Sequence, residues 1–99
     1  MALKFGILTI SGVTAITLED SIEVLLCETT DYPTTITLPA SPIDGTFFYI
    51  KDIGGASANN IIIDGNSKLI EGATSITIST NYEYVELLYS SDLDMWFDL

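Results

Sequence analysis

The sequence is divided into short apolar runs, and this division constrains the fold more than any other feature. Thr, Ile, Val and aromatic residues recur in runs of about four to eight residues, separated by Gly, Pro, Asn, Asp and Ser. Such runs are typical of strands, and no segment shows the periodicity of an amphipathic helix. The pattern predicts ten strands, at residues 3–10, 13–18, 22–27, 34–38, 46–52, 60–63, 68–70, 74–79, 84–89 and 95–98.

The spacing of these runs predicts an all-β fold, either an antiparallel β-sandwich or a small barrel. An intertwined β-trimer, in which strands from different chains share one core, fits the same spacing. The 99 residues allow a single domain, 1–99. Asp64, Gly65 and Asn66 separate two apolar runs, 61–63 and 68–70, and this is the strongest hairpin signal in the chain.

Side-chain alternation within a strand predicts which residues face the core. In the run 84–89, Val85, Leu87 and Tyr89 fall on one side, which we assign to the core. Tyr84 and Leu88 fall on the other side and mix with an acidic residue, as on a surface that a partner covers.

The C-terminal run gives a further candidate for this surface. Met95 and Phe97 share one side of it, so Trp96 is expected to point outward beside two aspartates. Outward tryptophans are enriched at interface hot spots, although the ring packing flat over a neighbouring strand explains the pattern equally well. The candidate contact residues are Tyr49, Tyr84, Leu88 and Trp96.

The charged residues exclude several classes of partner and activity. Three Lys and fourteen carboxylates give a formal charge of −11, so nucleic acids and anionic membranes are not expected as partners. The absence of His excludes the usual Ser-His-Asp and Cys-His catalysis, and one Cys without His cannot build a common zinc site. We therefore expect no enzyme activity, no cofactor and no metal site.

Two pairs of oxygen-bearing side chains were weighed as cation ligands. Asp64 with Asn66, and Asp92 with Asp94, lie close in sequence, but neither pair matches an EF-hand loop. Asp and Asn are also common turn formers, and we favour that role.

The apolar content predicts an assembly. The chain is 47% hydrophobic, whereas a domain of this size buries only about two-thirds of its unfolded surface. Apolar surface is therefore left over, and pairing of subunits is the common way to cover it. The single Cys27 cannot form an intrachain disulfide and is expected to be a buried, small hydrophobic residue.

The stretch 36–97 carries a series of short motifs: ITLP at 36–39, PIDG at 42–45, YIKD at 49–52, NNI at 59–61, IDG at 63–65, IEG at 70–72 and WF at 96–97. Over this stretch, which is roughly two-thirds of the chain, the sequence resembles a β-rich module of tailed-phage virion proteins. Modules of this kind occur in tail fibres, tail spikes and head-decorating proteins, commonly as homotrimers.

The resemblance implies a virion structural protein that is made in the host cytoplasm and assembles with itself. Since Met1 leads almost directly into a predicted strand, without the anchor and shaft of a fibre subunit, we expect a capsid decoration or cement protein. Its partners would be its own copies, as a homotrimer, and the major capsid protein or another virion protein. The alternative is a tail-fibre or spike tip that binds a host receptor or glycan.

Overall fold

The computed structural model describes residues 4–99, which form ten strands and no helix. The all-β class and the number of strands agree with the sequence prediction, while Leu3, the predicted start of the first strand, lies outside the described residues. The strands are β1 (Ile7–Ser11), β2 (Ala15–Thr17), β3 (Val24–Glu28), β4 (Thr34–Thr37), β5 (Phe47–Asp52), β6 (Ile61–Asp64), β7 (Leu69–Ile70), β8 (Ser75–Ile78), β9 (Tyr84–Ser90) and β10 (Met95–Asp98).

The strands build two sheets. One has six strands in the order β1-β3-β5-β9-β10-β7, and the other has four in the order β2-β4-β6-β8. Successive strands from β1 to β9 therefore alternate between the sheets, and only β9 and β10 follow one another within the same sheet.

The predicted antiparallel arrangement is wrong, because both sheets are mixed. The strands β1, β3 and β5 are parallel to one another, as are β2, β4 and β6, whereas β8 and β9 join these groups in antiparallel fashion. Parallel strands need a connection that carries the chain back to its starting side. Here the intervening strand of the opposite sheet makes this return, so the spacing of the runs is the same as in an antiparallel fold.

The predicted hairpin at residues 64–66 is also wrong, because β6 and β7 lie in different sheets. The local turn is present: an Asp64 carboxylate oxygen accepts a hydrogen bond from the Asn66 N–H at 2.7 Å. The side-chain amide of Asn66 then donates to the Leu38 carbonyl oxygen at 3.0 Å, beyond the end of β4. This bond ties the turn to the neighbouring connection, where the chain crosses to the other sheet.

Both sheets contribute to one hydrophobic core, whose largest members are Trp96 and Phe48. The predicted core side of β9 is confirmed, since Val85, Leu87 and Tyr89 are all buried. Cys27 is a free, buried thiol, as expected, and burial raises its pKa. Residues 4–99 contain no helix with the length and hydropathy that crossing a bilayer requires.

Candidate contact surface

The six-stranded sheet presents apolar side chains on the side that faces away from the core. On each of its strands these residues alternate with inward-facing ones, and they are half-buried or exposed. We call this set the outer face; it consists of Ile7, Val24, Leu26, Phe47, Tyr49, Leu69, Tyr84, Leu88, Met95 and Phe97.

Strand register places the members of the outer face beside one another. Phe47 of β5 lies opposite Leu88 of β9, which lies opposite Phe97 of β10. Met95 of β10 pairs with Leu69 of β7. Residues directly opposite each other have Cβ atoms about 4.5–5.5 Å apart, so the apolar surface runs continuously from the middle of the sheet to the β7 edge.

A tyrosine pair lies at the centre of the outer face. The rings of Tyr49 and Tyr84 are stacked, with centroids 5.1 Å apart and planes inclined by 18°. The Lys51 ammonium lies 5.7 Å from the Tyr84 ring centroid and 5.9 Å from that of Tyr82, distances at which cation–π attraction operates. It also donates a hydrogen bond to the Tyr82 carbonyl oxygen at 2.6 Å, which fixes its position at the edge of this cluster.

The four-stranded sheet presents a different surface to solvent. Its outward positions hold mostly small hydroxyl residues, with Ile62 as the one large apolar side chain. These positions are Ala15, Thr17, Thr35, Thr37, Ile62, Asp64, Ser75 and Thr77. Among the strand positions, the large apolar side chains that face outward therefore lie mainly on the six-stranded sheet. Further exposed ones lie outside the strands, at Phe5, Tyr32, Ile43, Tyr82, Leu93 and Leu99.

Trp96 does not belong to this surface, so its predicted outward orientation is wrong. Its side chain is 0% exposed. The ring centroid lies 5.6 Å from that of Phe48 and 5.4 Å from that of Tyr89, with tilted planes. Its neighbours Met95 and Phe97 take the outward positions instead.

The other three predicted contact residues do lie together. Tyr49, Tyr84 and Leu88 occupy the outer face of adjacent strands β5 and β9, and Tyr84 is 50% exposed. The sequence analysis missed the outer-face residues of β3, β7 and β10. Alternation within run 22–27 could have revealed Val24 and Leu26, but which side faced the core was not predictable from that run alone.

The oxygen-rich turns are engaged within the chain. Lys68 donates to a carboxylate oxygen of Asp94 at 2.7 Å, and the Tyr89 hydroxyl donates to the same oxygen. The hydrogen bond from Lys68, followed by that from Tyr89, lowers the pKa of Asp94. Within residues 4–99 no three His, Cys, Asp or Glu side chains are grouped so that they could hold a metal ion.

Two residues of the virion-module resemblance hold loops in place. The buried carboxylate of Asp52 accepts hydrogen bonds from the N–H groups of Gly54 and Tyr82, at 3.0 and 2.9 Å. The Asn59 side chain donates to the carbonyl oxygens of Thr29 and Thr30, both at 3.0 Å. These parts of the motifs therefore stabilise connections of the fold.

No family model and no curated protein matches the chain. A solved structure described as that of a chaperone-substrate complex contains a similar chain, with a TM-score of 0.54 and 13% sequence identity. The match covers 92% of this chain but 14% of that one. The likeness shows the fold alone, and it shows this fold as a small part of a much longer polypeptide.

Proposed function

We propose that this protein is a virion structural subunit, most simply a capsid decoration protein, that self-associates through the outer face. The observation that carries the proposal is the concentration of large apolar side chains on one sheet, beside a hydroxyl-rich surface on the other. The resemblance to tailed-phage virion modules supports the virion assignment and the homotrimer. No catalytic group is required for this role.

The size of the outer face supports a stable contact. The six strands contain 29 residues, which at about 3.3 Å per residue and about 4.8 Å between strands give a sheet area on the order of 450 Å². This is more than half of the ~800 Å² that each partner buries in a standard interface. Ten of the sixteen outward positions on these strands are apolar, and contiguous apolar patches of a few hundred Å² on soluble proteins are often functional.

The charges on this surface also permit contact between copies. The chain carries −11 overall, but the outward positions of the six-stranded sheet hold one base, Lys51, against two acids, Glu28 and Glu86. Charges farther away are screened over about 8 Å at physiological ionic strength. Self-association therefore brings together two surfaces that are largely apolar and carry little net charge.

In this proposal each subunit is a two-sheet sandwich rather than a barrel. Within residues 4–99 the edge strands β1 and β2 each have one neighbour, and a closed barrel would have no edge strands. Three subunits meet through their outer faces, and the polar remainder of the trimer contacts the major capsid protein.

Introducing a charge into the outer face should dissociate the assembly. We expect Leu88→Asp to convert a particle of three times the 10.8 kDa chain mass into a monomer, because an unpaired carboxylate would have to be desolvated at the contact. Light scattering at micromolar concentration measures the mass, and far-UV circular dichroism checks that the β-fold is retained.

The matched control is Thr35→Asp, which adds the same charge at a half-buried, outward position of a central strand in the other sheet. This variant should remain assembled. A wild-type protein that is strictly monomeric at micromolar concentration and does not co-sediment with the capsid shells of its parent phage would refute the proposal. If the Leu88→Asp variant stays assembled, the outer face is not the surface through which the copies contact one another.

A second candidate is a receptor- or glycan-binding tip, which the exposed tyrosines around Lys51 favour. Tyr82 is 61% exposed and Tyr84 50%, and aromatic rings of this kind can stack on sugars. On a glycan array we expect Tyr82→Ala to lose retention, whereas Tyr32→Ala, which removes a ring of similar exposure (53%) elsewhere, should not. A wild-type protein that no glycan retains would count against this function.

A further inference from the structure

The two sheets each have a free edge at the same end of the molecule. Strand β1 is the outermost strand of the six-stranded sheet and β2 that of the four-stranded sheet. Each pairs with one neighbour within residues 4–99, β1 with β3 and β2 with β4. Unpaired backbone groups on such edges are a template for pairing with another chain.

A cavity of about 330 Å³ opens between these two edge strands. Leu8 of β1 and Ile16 of β2 pack against the core from the inward side of their strands, but remain partly exposed. The lining residues are Leu8, Ile16, Thr17, Leu18, Glu19 and Ile22. The apolar core is therefore incompletely covered at the end of the molecule where β1 and β2 are the edge strands.

We propose that this end of the molecule binds an extended segment of another protein, which adds a strand to β1 and inserts apolar side chains into the cavity. This binding mode is β-strand addition, in which backbone hydrogen bonds supply affinity and side-chain pockets supply specificity. The cavity lies on the inward side of β1, opposite the side that carries the outer-face residue Ile7, so this binding goes beyond self-association.

The backbone of β1 is oriented for such pairing. The Gly6 carbonyl oxygen accepts a hydrogen bond from the Val24 N–H at 3.0 Å, so Gly6 points toward β3. Because backbone groups alternate in direction along a strand, Leu8 also points its N–H and C=O toward β3. Thr9 points both groups out to the free edge.

The charges around the cavity define the chemistry of the segment. Glu19 lines the cavity, and the exposed Asp20 follows it. Lys4 is the only base among residues 1–50. The matching segment therefore alternates apolar residues with small ones and carries Lys or Arg at its ends, whereas a second copy of this chain would bring the same acids.

A labelled peptide tests the proposal directly. The probe is Lys-Ile-Thr-Val-Thr-Ile-Lys with blocked ends and a fluorophore, and fluorescence polarisation measures its binding to the full chain. Controls are the same peptide with Glu in place of both Lys, and one with Pro in place of the central Val, which cannot complete a ladder. We expect the basic peptide alone to bind the wild-type protein.

Variants of the protein locate the binding. Thr9→Pro removes an N–H from the free edge and leaves the bonds to β3, so it should weaken binding about tenfold or more, while Thr9→Val should not. Glu19→Lys should weaken binding of the basic peptide about two- to fivefold, the range of an exposed ion pair, and strengthen binding of the acidic one. None of the three variants should change the oligomeric mass.

Three results would overturn the proposal. The first is no binding of the basic peptide at millimolar concentration. The second is equal binding to the wild type and Thr9→Pro, when thermal melting shows that the variant is folded. The third is an oligomer that Thr9→Pro dissociates and Leu88→Asp does not, because the occupant of the edge would then be a second copy of this chain.

Discussion

Trp96→Ala should lower the free energy of unfolding by about 3–5 kcal/mol, the range for removing a fully buried large aromatic side chain. The indole is 0% exposed and packs between the rings of Phe48 and Tyr89. Protein interiors are close-packed, so the space left by the ring would not be refilled. For a domain of 99 residues this loss is a large share of the usual total stability of about 5–15 kcal/mol.

The matched control is Phe97→Ala, the next residue along β10. Phe97 is half-buried on the outer face, so its removal leaves no internal cavity and should cost less than about 2 kcal/mol in a monomer. Urea unfolding followed by far-UV circular dichroism gives both values. If the chain self-associates as proposed, the measurement is best made at a protein concentration at which the wild type is dissociated, because assembly otherwise adds to the apparent stability.

Trp96→Phe separates the effect of ring packing from the effect of the unpaired indole N–H. The indole Nε1 is buried and has no hydrogen-bond partner among the described residues. Phenylalanine retains much of the ring packing and removes this unpaired donor, so it should cost less than half of the alanine value. A Trp96→Ala loss below about 1 kcal/mol would contradict the core position of this residue.

The faces of the long strands could be predicted from the sequence, but that of β10 could not. Along β9 the pattern of Val85, Leu87 and Tyr89 identifies one side, because an acidic residue marks the other. In the four-residue strand β10, Met95, Trp96 and Phe97 are all apolar. Alternation then offers two equivalent assignments, and the choice depends on which side meets Phe48 of another strand.

Strand pairing could not be predicted either, because it depends on contacts between distant parts of the chain. The runs that form β3, β4 and β5 have the same length and composition as those of an antiparallel meander. The connections decide whether the next strand joins the same sheet or crosses to the other. Local turn chemistry, as at Asp64 and Asn66, indicates that the chain turns without indicating toward which sheet.

The crossing after β5 depends on a close approach of two backbones at Gly55. A Cβ atom at this position would lie 2.6 Å from both the carbonyl carbon of Thr29 and the backbone nitrogen of Thr30. Gly55 also has a φ of +104°, a conformation that side chains disfavour. The carbonyl oxygen of Gly54 accepts a hydrogen bond from the Thr29 N–H at 2.9 Å, which holds the two segments together.

Gly55→Ala should therefore cost about 3 kcal/mol or more, since backbone strain adds to a clash that only backbone movement can relieve. Gly72 provides the control, because its φ is +87° but a Cβ there would have nothing within 4 Å. Gly72→Ala should cost about 1 kcal/mol from conformation alone. At about 4–8 °C per kcal/mol for a domain of this size, thermal melting should separate the two variants by at least about 8 °C.

The comparison of Gly55→Ala with Gly72→Ala shows how much the close approach of Gly55 to the Thr29–Thr30 backbone contributes to the two-sheet fold. If Gly55→Ala melts well below Gly72→Ala, contact between the β5–β6 and β3–β4 connections contributes directly to the parallel pairing of these strands, because both connections cross between the sheets at the same end. Equal melting temperatures would mean that the segment 53–60 can move away from Thr29 at little cost. The crossing would then depend on core packing and on the Asn59 hydrogen bonds rather than on the space available at Gly55.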